Sequence, residues 1–287
     1  MIEHFQIDKI VGKLNRNNLL FMLVSKFTEV NLNPAEVSNH EMGLIFEHVI
    51  YKFYEMSNET AGEHYTPREV IRLMVSLLLA EHADELQGKG IIRTICDPAC
   101  GTGGFLLAAH DYLSKSYPLD RDQWEHLNHQ ALHGWEIVDN TARLCVMNLY
   151  LHGIGANGGN SPIHVSDSLA AHPGEYFDMV LTNPPFGGTE NQQIQENFPV
   201  QVNATELLFL QHIMKKLKPR AGARCGMVMP EGVLFRGGAF ATVKKDLLEQ
   251  FNLHTIISLP PGAFAPYADV KTVLMFFERP GPTKAIW

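Results

Sequence analysis

Short apolar runs alternate with longer amphipathic stretches from residue 91 onward, and this alternation constrains the fold more than any other feature of the chain. Strand and helix patterns that alternate in this way are typical of a parallel sheet whose strands are joined by crossover helices. The apolar runs predict seven strands, over residues 91–96, 131–137, 162–166, 177–182, 225–229, 255–259 and 272–277. We therefore expect an α/β fold, a Rossmann-like and mostly parallel seven-stranded sheet with helices on both faces.

Helices are predicted between these strands from their amphipathic period. They cover residues 103–115, 139–152, 204–217 and 239–250, with a further helical insertion at 118–130. The stretch between Phe186 and Thr205 is polar and has no clear period. A long connection of this kind is interpreted as a functional loop, not as a packing element.

The part of the chain before the alternation predicts a small helical segment. Amphipathic patterns cover residues 15–30 and 41–56. Thr66 is expected to cap a further helix that has Pro67 at its first position. We therefore divide the chain into a helical N-terminal segment, residues 1–60, and a larger α/β domain, residues 61–287.

Composition and charge exclude several classes of function. With 31 acidic and 23 basic side chains the net charge is −8, the wrong sign for a chain that holds nucleic acid by phosphate neutralisation alone. No apolar window is long enough to span a membrane and no secretory signal pattern is present, so a cytoplasmic protein without membrane contact is expected. The four cysteines are expected to be reduced structural thiols. No Cys or acidic side chain clusters with histidines such as His126 and His129, so no metal is expected.

A glycine-rich turn, Asp97-Pro98-Ala99-Cys100-Gly101-Thr102-Gly103-Gly104-Phe105, separates the first strand pattern from a helix pattern. Glycines at such a turn let the backbone approach a ligand closely. The spacing of the glycines is not the G-x-G-x-x-G of dinucleotide-binding turns. The strand also ends in an acidic residue, whereas a pyrophosphate would need a helix N-terminus with no negative charge beside it. A carboxylate at that point can hold a cationic amino acid group, which favours S-adenosylmethionine (SAM) over a dinucleotide. The predicted cofactor residues of the turn are Asp97, Ala99, Cys100, Gly101, Thr102 and Gly103.

Two further carboxylates follow the next two strand patterns. Glu136 ends the second, where a carboxylate commonly binds a ribose diol. The alternative is a solvated glutamate ahead of a helix. Asp167 follows the third strand pattern and is predicted to accept a hydrogen bond from the adenine amino group of the cofactor, or to cap the next turn.

The most specific motif is Asn183-Pro184-Pro185-Phe186, which follows another strand pattern. Two prolines lock the backbone, so the Asn183 side-chain oxygen and the Pro184 carbonyl can both accept from one substrate amine. Two such acceptors favour the pyramidal amine of a methyl-transfer transition state. Phe186 offers a ring face to a base that has left the duplex. The alternative, a tight Asn-Pro-Pro turn, would not predict the glycine turn as a partner.

Together these motifs resemble the N-6 adenine-specific DNA methyltransferases, most closely the modification (methylation) subunit of type I restriction-modification systems. The resemblance runs from about residue 43 to residue 278 and includes stretches 148–153, 217–222 and 229–235. It implies a SAM-dependent methyltransferase domain. It also implies that one loop covers the methionine end of SAM, through Glu63, His64, Tyr65, Thr66, Pro67 and Arg68. His64 stands where many relatives carry an aromatic residue.

The resemblance implies methyl transfer from SAM to the N-6 amine of a flipped adenine in DNA, without a covalent enzyme intermediate. The partners it implies are DNA, a specificity subunit that reads the target, a second copy of this subunit and, in systems that have one, a restriction (nuclease/translocase) subunit. Two alternatives stay open. One is an amine methyltransferase acting on protein glutamine or RNA, and the other is a non-catalytic scaffold that binds SAM.

Overall fold

The computed structural model describes residues 7–33, 36–37, 41–43, 45–46, 48–49, 52, 66–80, 92–155, 161–170, 174–264 and 270–287. Three predicted cofactor residues, Glu63, His64 and Tyr65, lie outside the described residues, as does much of the helix predicted over 41–56. None of the helices in the described part of the chain is both long enough and apolar enough to cross a bilayer.

Seven strands form one sheet in the order β3-β2-β1-β4-β5-β7-β6. Neighbouring strands from β3 to β5 are parallel, and β7 is antiparallel to both β5 and β6. The prediction of a mostly parallel seven-stranded sheet is therefore confirmed. The strands are β1 Ile95–Asp97, β2 Leu132–Glu136, β3 Ile163–Val165, β4 Met179–Thr182, β5 Arg224–Pro230, β6 Asn252–Ser258 and β7 Thr272–Glu278.

The helices of the α/β domain lie close to their predicted positions, and the helical insertion before β2 is present as α5. The first of them begins at Arg68, one residue after the predicted start. The described helices are α1 Ile7–Arg16, α2 Leu20–Thr28, α3 Arg68–Ala80, α4 Gly104–Ser116, α5 Arg121–His129, α6 Asp139–Leu151, α7 Gln192–Gln195, α8 Thr205–Lys216, α9 Gly232–Phe235 and α10 Ala239–Gln250.

The single helix predicted over residues 15–30 is wrong. The chain forms α1 and α2 instead, separated by a turn in which Asn18 has a φ of 56°. Asparagine adopts this left-handed conformation more readily than other non-glycine residues, so the helix ends there although the amphipathic pattern continues. Neither helix buries any residue against the described chain.

Hydrophobic clusters cover both faces of the central strands. Ile95 belongs to the cluster that includes α3, α4 and α6, whereas its neighbour Cys96 belongs to the cluster that includes α8 and α10. A strand that is buried on both faces reads as a continuous apolar run, which is why β4 and β5 were recognisable in the sequence. All four cysteines are buried and free, as predicted.

Candidate functional site

The carboxyl ends of β1, β2, β3 and β4 meet at one edge of the sheet because these strands are parallel neighbours. Ligands of open α/β sheets bind at this edge. Asp97 and Glu136 end β1 and β2, while Asp167 and Asn183 follow β3 and β4 closely. The predicted site residues of four separate strands are therefore brought to one edge.

The glycine turn needs glycine for conformational and for steric reasons. Gly101 and Gly103 have φ values of 54° and 85°, in the region that side chains rarely adopt. A Cβ atom at Gly103 would lie 2.8 Å from Cys145 Sγ. The turn is also attached to its surroundings, because the Cys100 amide donates to the Trp135 carbonyl at 2.9 Å and Asn148 Nδ2 donates to the Thr102 carbonyl at 3.1 Å.

Asp97 is a buried carboxylate, with 1% of its surface exposed. Its Oδ1 accepts hydrogen bonds from the Ala99 amide at 3.1 Å and from the Thr182 hydroxyl at 2.7 Å. Burial raises the pKa of Asp97 to about 7, although both hydrogen bonds act in the opposite direction. A buried carboxyl group with this pKa gains from a cation beside it, as the cationic amino acid group of SAM would provide.

Glu136 is also buried, which rules out the solvated glutamate considered from the sequence. Its Oε2 accepts from the Gly101 amide at 3.1 Å, and its Oε1 accepts from the Val138 amide at 2.8 Å. Each carboxylate oxygen has a second lone pair with which it can accept from a hydroxyl group. The donor set therefore fits SAM, since one buried carboxylate suits a cation and the other suits a diol.

Asp167 makes the capping contact that was the alternative to its cofactor role. Its Oδ1 accepts from the Leu169 amide at 2.8 Å. The adjacent Ser168 hydroxyl donates to the Pro98 carbonyl, so the loop after β3 lies against the glycine turn. The contact with the cofactor adenine stays a prediction.

Asn183 is held by a residue of the segment that precedes α3. Its Nδ2 donates to the Thr66 hydroxyl at 3.0 Å, across 117 positions of the sequence. Its Oδ1 is buried and accepts a hydrogen bond from none of the residues that the structure describes. A buried acceptor left in this state costs about 1–3 kcal/mol, a cost that a bound amine would remove.

The other residues of the Asn183–Phe186 motif are packed in place. Pro184 is buried, Pro185 is half-buried, and the half-buried Phe186 ring meets the Phe264 ring edge-on with centroids 6.4 Å apart. The connection that follows is not an unpacked loop, contrary to its polar sequence. It contains the short helix α7 and buries the side chains of Ile194 and Phe198 in a cluster with Leu169, Leu208 and Phe209.

Thr182, Asn148 and Cys145 position the site but were not found from the sequence. All three lie in ordinary strand or helix patterns, and although Asn148 begins the stretch 148–153 of the family resemblance, no local signal gave any of the three a role in the site. Their roles depend on contacts with the glycine turn, which only the folded chain brings together.

Histidines do come together at another part of the sheet, which the sequence spacing did not show. Side chains of His133, His164 and Glu175 offer ligand atoms within 4.8 Å of one another, the one such group in the described ranges. The Lys216 ammonium lies 3.7 Å from the centroid of the Trp135 ring on this face. Burial is the main cause that lowers the pKa of His133, and the hydrogen bond to the Gln130 carbonyl and the Glu175 charge act in the opposite direction. Two of the three side chains, His164 and Glu175, are exposed, and a surface group of this kind does not by itself indicate a metal, so we assign none.

Topology and site define a class of protein. A seven-stranded sheet in this order, with antiparallel β7 and a glycine turn after β1, is the fold of the SAM-dependent methyltransferases. The model of the N-6 DNA Methylase family matches residues 37–287, and the chain belongs to this family. Membership implies SAM as the methyl donor.

Relatives of known type are similar over most of this chain. The methylase subunit of the type I restriction enzyme EcoEI from Escherichia coli is 36% identical over 96% of this chain and 53% of its own length. The corresponding EcoKI subunit from strain K12 is 35% identical over 84% of this chain and 45% of its own length. A chain from a structural study of type I R-M assembly and conformational transition is 50% identical, with a TM-score of 0.77 over 87% of this chain and 49% of that one. This chain thus spans about half the length of the relatives it matches.

Proposed function

We propose that this chain transfers a methyl group from SAM to the N-6 amine of a flipped adenine in DNA, as the modification (methylation) subunit of a type I restriction-modification complex. The observation that carries the proposal is the state of Asn183. Its amide nitrogen is held by Thr66 while its buried oxygen has no donor among the described residues. We assign the catalytic domain to residues 61–287 and the helical segment to residues 1–60.

In this reaction SAM supplies a methyl group made electrophilic by its positive sulfur. The adenine amine forms the new N–C bond as the S–C bond breaks, the bonding pair stays on sulfur, and a proton of the amine is released to water. Asn183 Oδ1 and the Pro184 carbonyl accept from the amine as it becomes pyramidal, which stabilises the transition state more than the planar ground state. Phe186 stacks on the base.

The remaining roles concern the cofactor. Asp97 balances the charge of its amino acid group and Glu136 accepts from its ribose hydroxyls. Asp167 accepts from its adenine amino group. Glu63, His64, Tyr65, Thr66, Pro67 and Arg68 cover its methionine end, and Ala99, Cys100, Gly101, Thr102 and Gly103 form the turn beneath it.

The partners follow from the relatives and from the charge of the chain. The relatives are methylase subunits of type I restriction enzymes. This similarity supports a complex of this chain with a specificity subunit, a second copy of itself and, where present, a restriction subunit. A net charge of −8 supports the same view, since few phosphates can be neutralised by this chain alone. The isolated chain should bind duplex DNA weakly with a shallow salt dependence, and tight sequence-specific binding by it alone would contradict the multi-subunit proposal.

The decisive experiment is a methyl-transfer assay with labelled SAM in the complex reconstituted with a specificity subunit. We expect methylated adenine in DNA, and a kcat lowered by about two orders of magnitude in Asn183→Ala with little change in SAM affinity. Glu136→Ala should instead weaken SAM binding, and the exposed Asn203→Ala of the connection after Phe186 is a matched control. Wild-type rates in Asn183→Ala would end the proposal. Label in RNA or in protein glutamine would favour the alternative enzyme, and binding of SAM without any transfer would favour a scaffold.

A further inference from the structure

The segment Glu231 to Gly238 lies at the same edge of the sheet as Asn183 and has no role in the reaction described above. Strands β4 and β5 are parallel neighbours, with Thr182 paired to Met227, so both carboxyl ends point to one edge. Strand β5 continues to Pro230 and leads directly into α9, which ends at Phe235. The side chain of Phe235 is 80% exposed.

Packing does not explain this phenylalanine. The residues before it anchor the segment, because Val233 is buried in a hydrophobic cluster and Leu234 packs against the same cluster. Beyond it, a Cβ atom at Gly237 or Gly238 would meet nothing within 4 Å, so this side of the segment faces open space in the described structure. The Phe235 ring thus points outward at a position where a polar side chain would lose no packing contact.

The backbone around Phe235 is held in place by hydrogen bonds. Lys244 Nζ donates to the Leu234 carbonyl at 2.6 Å and to the Arg236 carbonyl at 3.0 Å, so the backbone is fixed on both sides of Phe235. The Arg236 guanidinium lies 5.1 Å from the Phe240 ring centroid and its Nη1 is 3.9 Å from Glu206 Oε1. A segment whose backbone is held in this way loses little backbone conformational freedom when it binds.

A short series of contacts connects Phe235 with the catalytic turn. Gly188, two residues after Phe186, accepts a hydrogen bond from the Thr205 amide at 3.2 Å. Glu206, the next residue of α8, is the residue that contacts Arg236. This edge therefore carries two aromatic rings: the half-buried Phe186, which follows the Asn183 motif, and the exposed Phe235, which is followed by an arginine.

Base flipping leaves a gap in the duplex, and inserted apolar side chains compensate the lost stacking. Resting on the function proposed above, we infer that Phe235 enters the DNA and fills the space vacated by the target adenine, while Arg236 contacts an adjacent phosphate. Phe186 and Phe235 then have separate tasks. The first stacks on the base outside the helix, and the second replaces it inside.

The test compares two duplexes in the complex reconstituted with its specificity subunit, using single-turnover methylation. One duplex carries thymine opposite the target adenine, and the other carries a pyrene nucleotide that itself fills the gap. On the first, Phe235→Ala should methylate at least about tenfold more slowly than the wild type, with the SAM affinity unchanged. On the second, its rate should return to within about twofold of the wild type. Phe235→Trp should stay active on both duplexes.

Two comparisons make the result specific. Pyrene should not restore the rate of Phe186→Ala, because this variant lacks the ring that stacks on the flipped base and still has the ring that fills the gap. Tyr176→Ala, which removes an exposed aromatic side chain before the opposite end of β4, should behave as the wild type.

Equal rates for Phe235→Ala and the wild type on paired DNA would overturn the inference, as would a defect that pyrene does not relieve. Loss of the specificity subunit from Phe235→Ala would also overturn it and assign the ring to protein docking. If the wild-type complex methylated no DNA, the proposed function itself would have failed.

Discussion

The Thr182 hydroxyl donates a 2.7 Å hydrogen bond to the Asp97 carboxylate and so joins the strand that leads to Asn183 with the strand that ends in the cofactor carboxylate. Both side chains are buried. The contact acts to lower the pKa of Asp97, which burial nevertheless raises to about 7. The carboxylate that we propose to bind the cationic cofactor group and the turn that we propose to be catalytic therefore share one hydrogen bond.

SAM affinity should rise with pH through the pKa of Asp97. The ionised carboxylate attracts a cation and the neutral acid does not, so below pH 7 affinity should fall by up to about tenfold for each pH unit. Calorimetry between about pH 5.5 and pH 7.5 measures this dependence. An affinity that is constant across this range would show that Asp97 does not face the cationic group.

The same pKa predicts a trend in the free energy of unfolding of the cofactor-free protein. A carboxyl group whose folded pKa of about 7 exceeds its unfolded value of about 4 binds more protons when folded. Its contribution to stability is complete below about pH 4 and is lost as the pH rises through about 7. Saturating SAM should offset part of this loss.

Thr182→Val should move the midpoint of the affinity profile to higher pH. The substitution keeps the side-chain shape but removes the donor that lowers the pKa of Asp97, so more of the carboxyl is neutral at pH 7 and SAM binds more weakly there. Thr242→Val, on the exposed surface of α10, is the control and should leave the profile unchanged. The idea fails if Thr182→Val and Thr242→Val give the same midpoint.

Gly103→Ala should destabilise the fold and weaken SAM binding for two additive reasons. The φ of 85° costs about 1–2 kcal/mol with a side chain, and the new Cβ would lie 2.8 Å from Cys145 Sγ. Gly153→Ala shares a positive φ, 80°, but meets nothing within 4 Å, so its smaller loss measures strain alone. The double variant Gly103→Ala with Cys145→Ala should recover part of the difference in thermal unfolding. No recovery would mean that the steric contact is unimportant.

Local patterns were sufficient to predict the sheet and the motifs at its edge. Strands such as β4 and β5 are buried on both faces and so read as apolar runs, and the glycine turn was recognisable because its backbone requires glycine. Parallel strands end at a common edge, so the meeting of Asp97, Glu136 and Asn183 followed from the order of the motifs.

Contacts between distant side chains were not predictable in this way. Thr182 and Asp97 are 85 positions apart, and their hydrogen bond depends on the register of β1 and β4. Thr66 was expected to cap a helix, and no local pattern indicated that its hydroxyl accepts from Asn183. The break at Asn18 was missed because a single residue in the left-handed conformation ends a helix without changing the apolar period around it.

Thr66→Val should lower kcat by about tenfold or more while Thr66→Ser stays close to the wild type. Valine cannot accept from Asn183 Nδ2, so the amide would lose the contact that fixes which of its ends is available to the substrate amine. Serine keeps the hydroxyl oxygen. Because Thr66 also belongs to the loop predicted to cover SAM, the assay measures kcat at saturating SAM and the SAM dissociation constant separately. A loss confined to SAM affinity in Thr66→Val, with kcat equal to that of Thr66→Ser, would show that the hydrogen bond to Asn183 does not orient the catalytic amide.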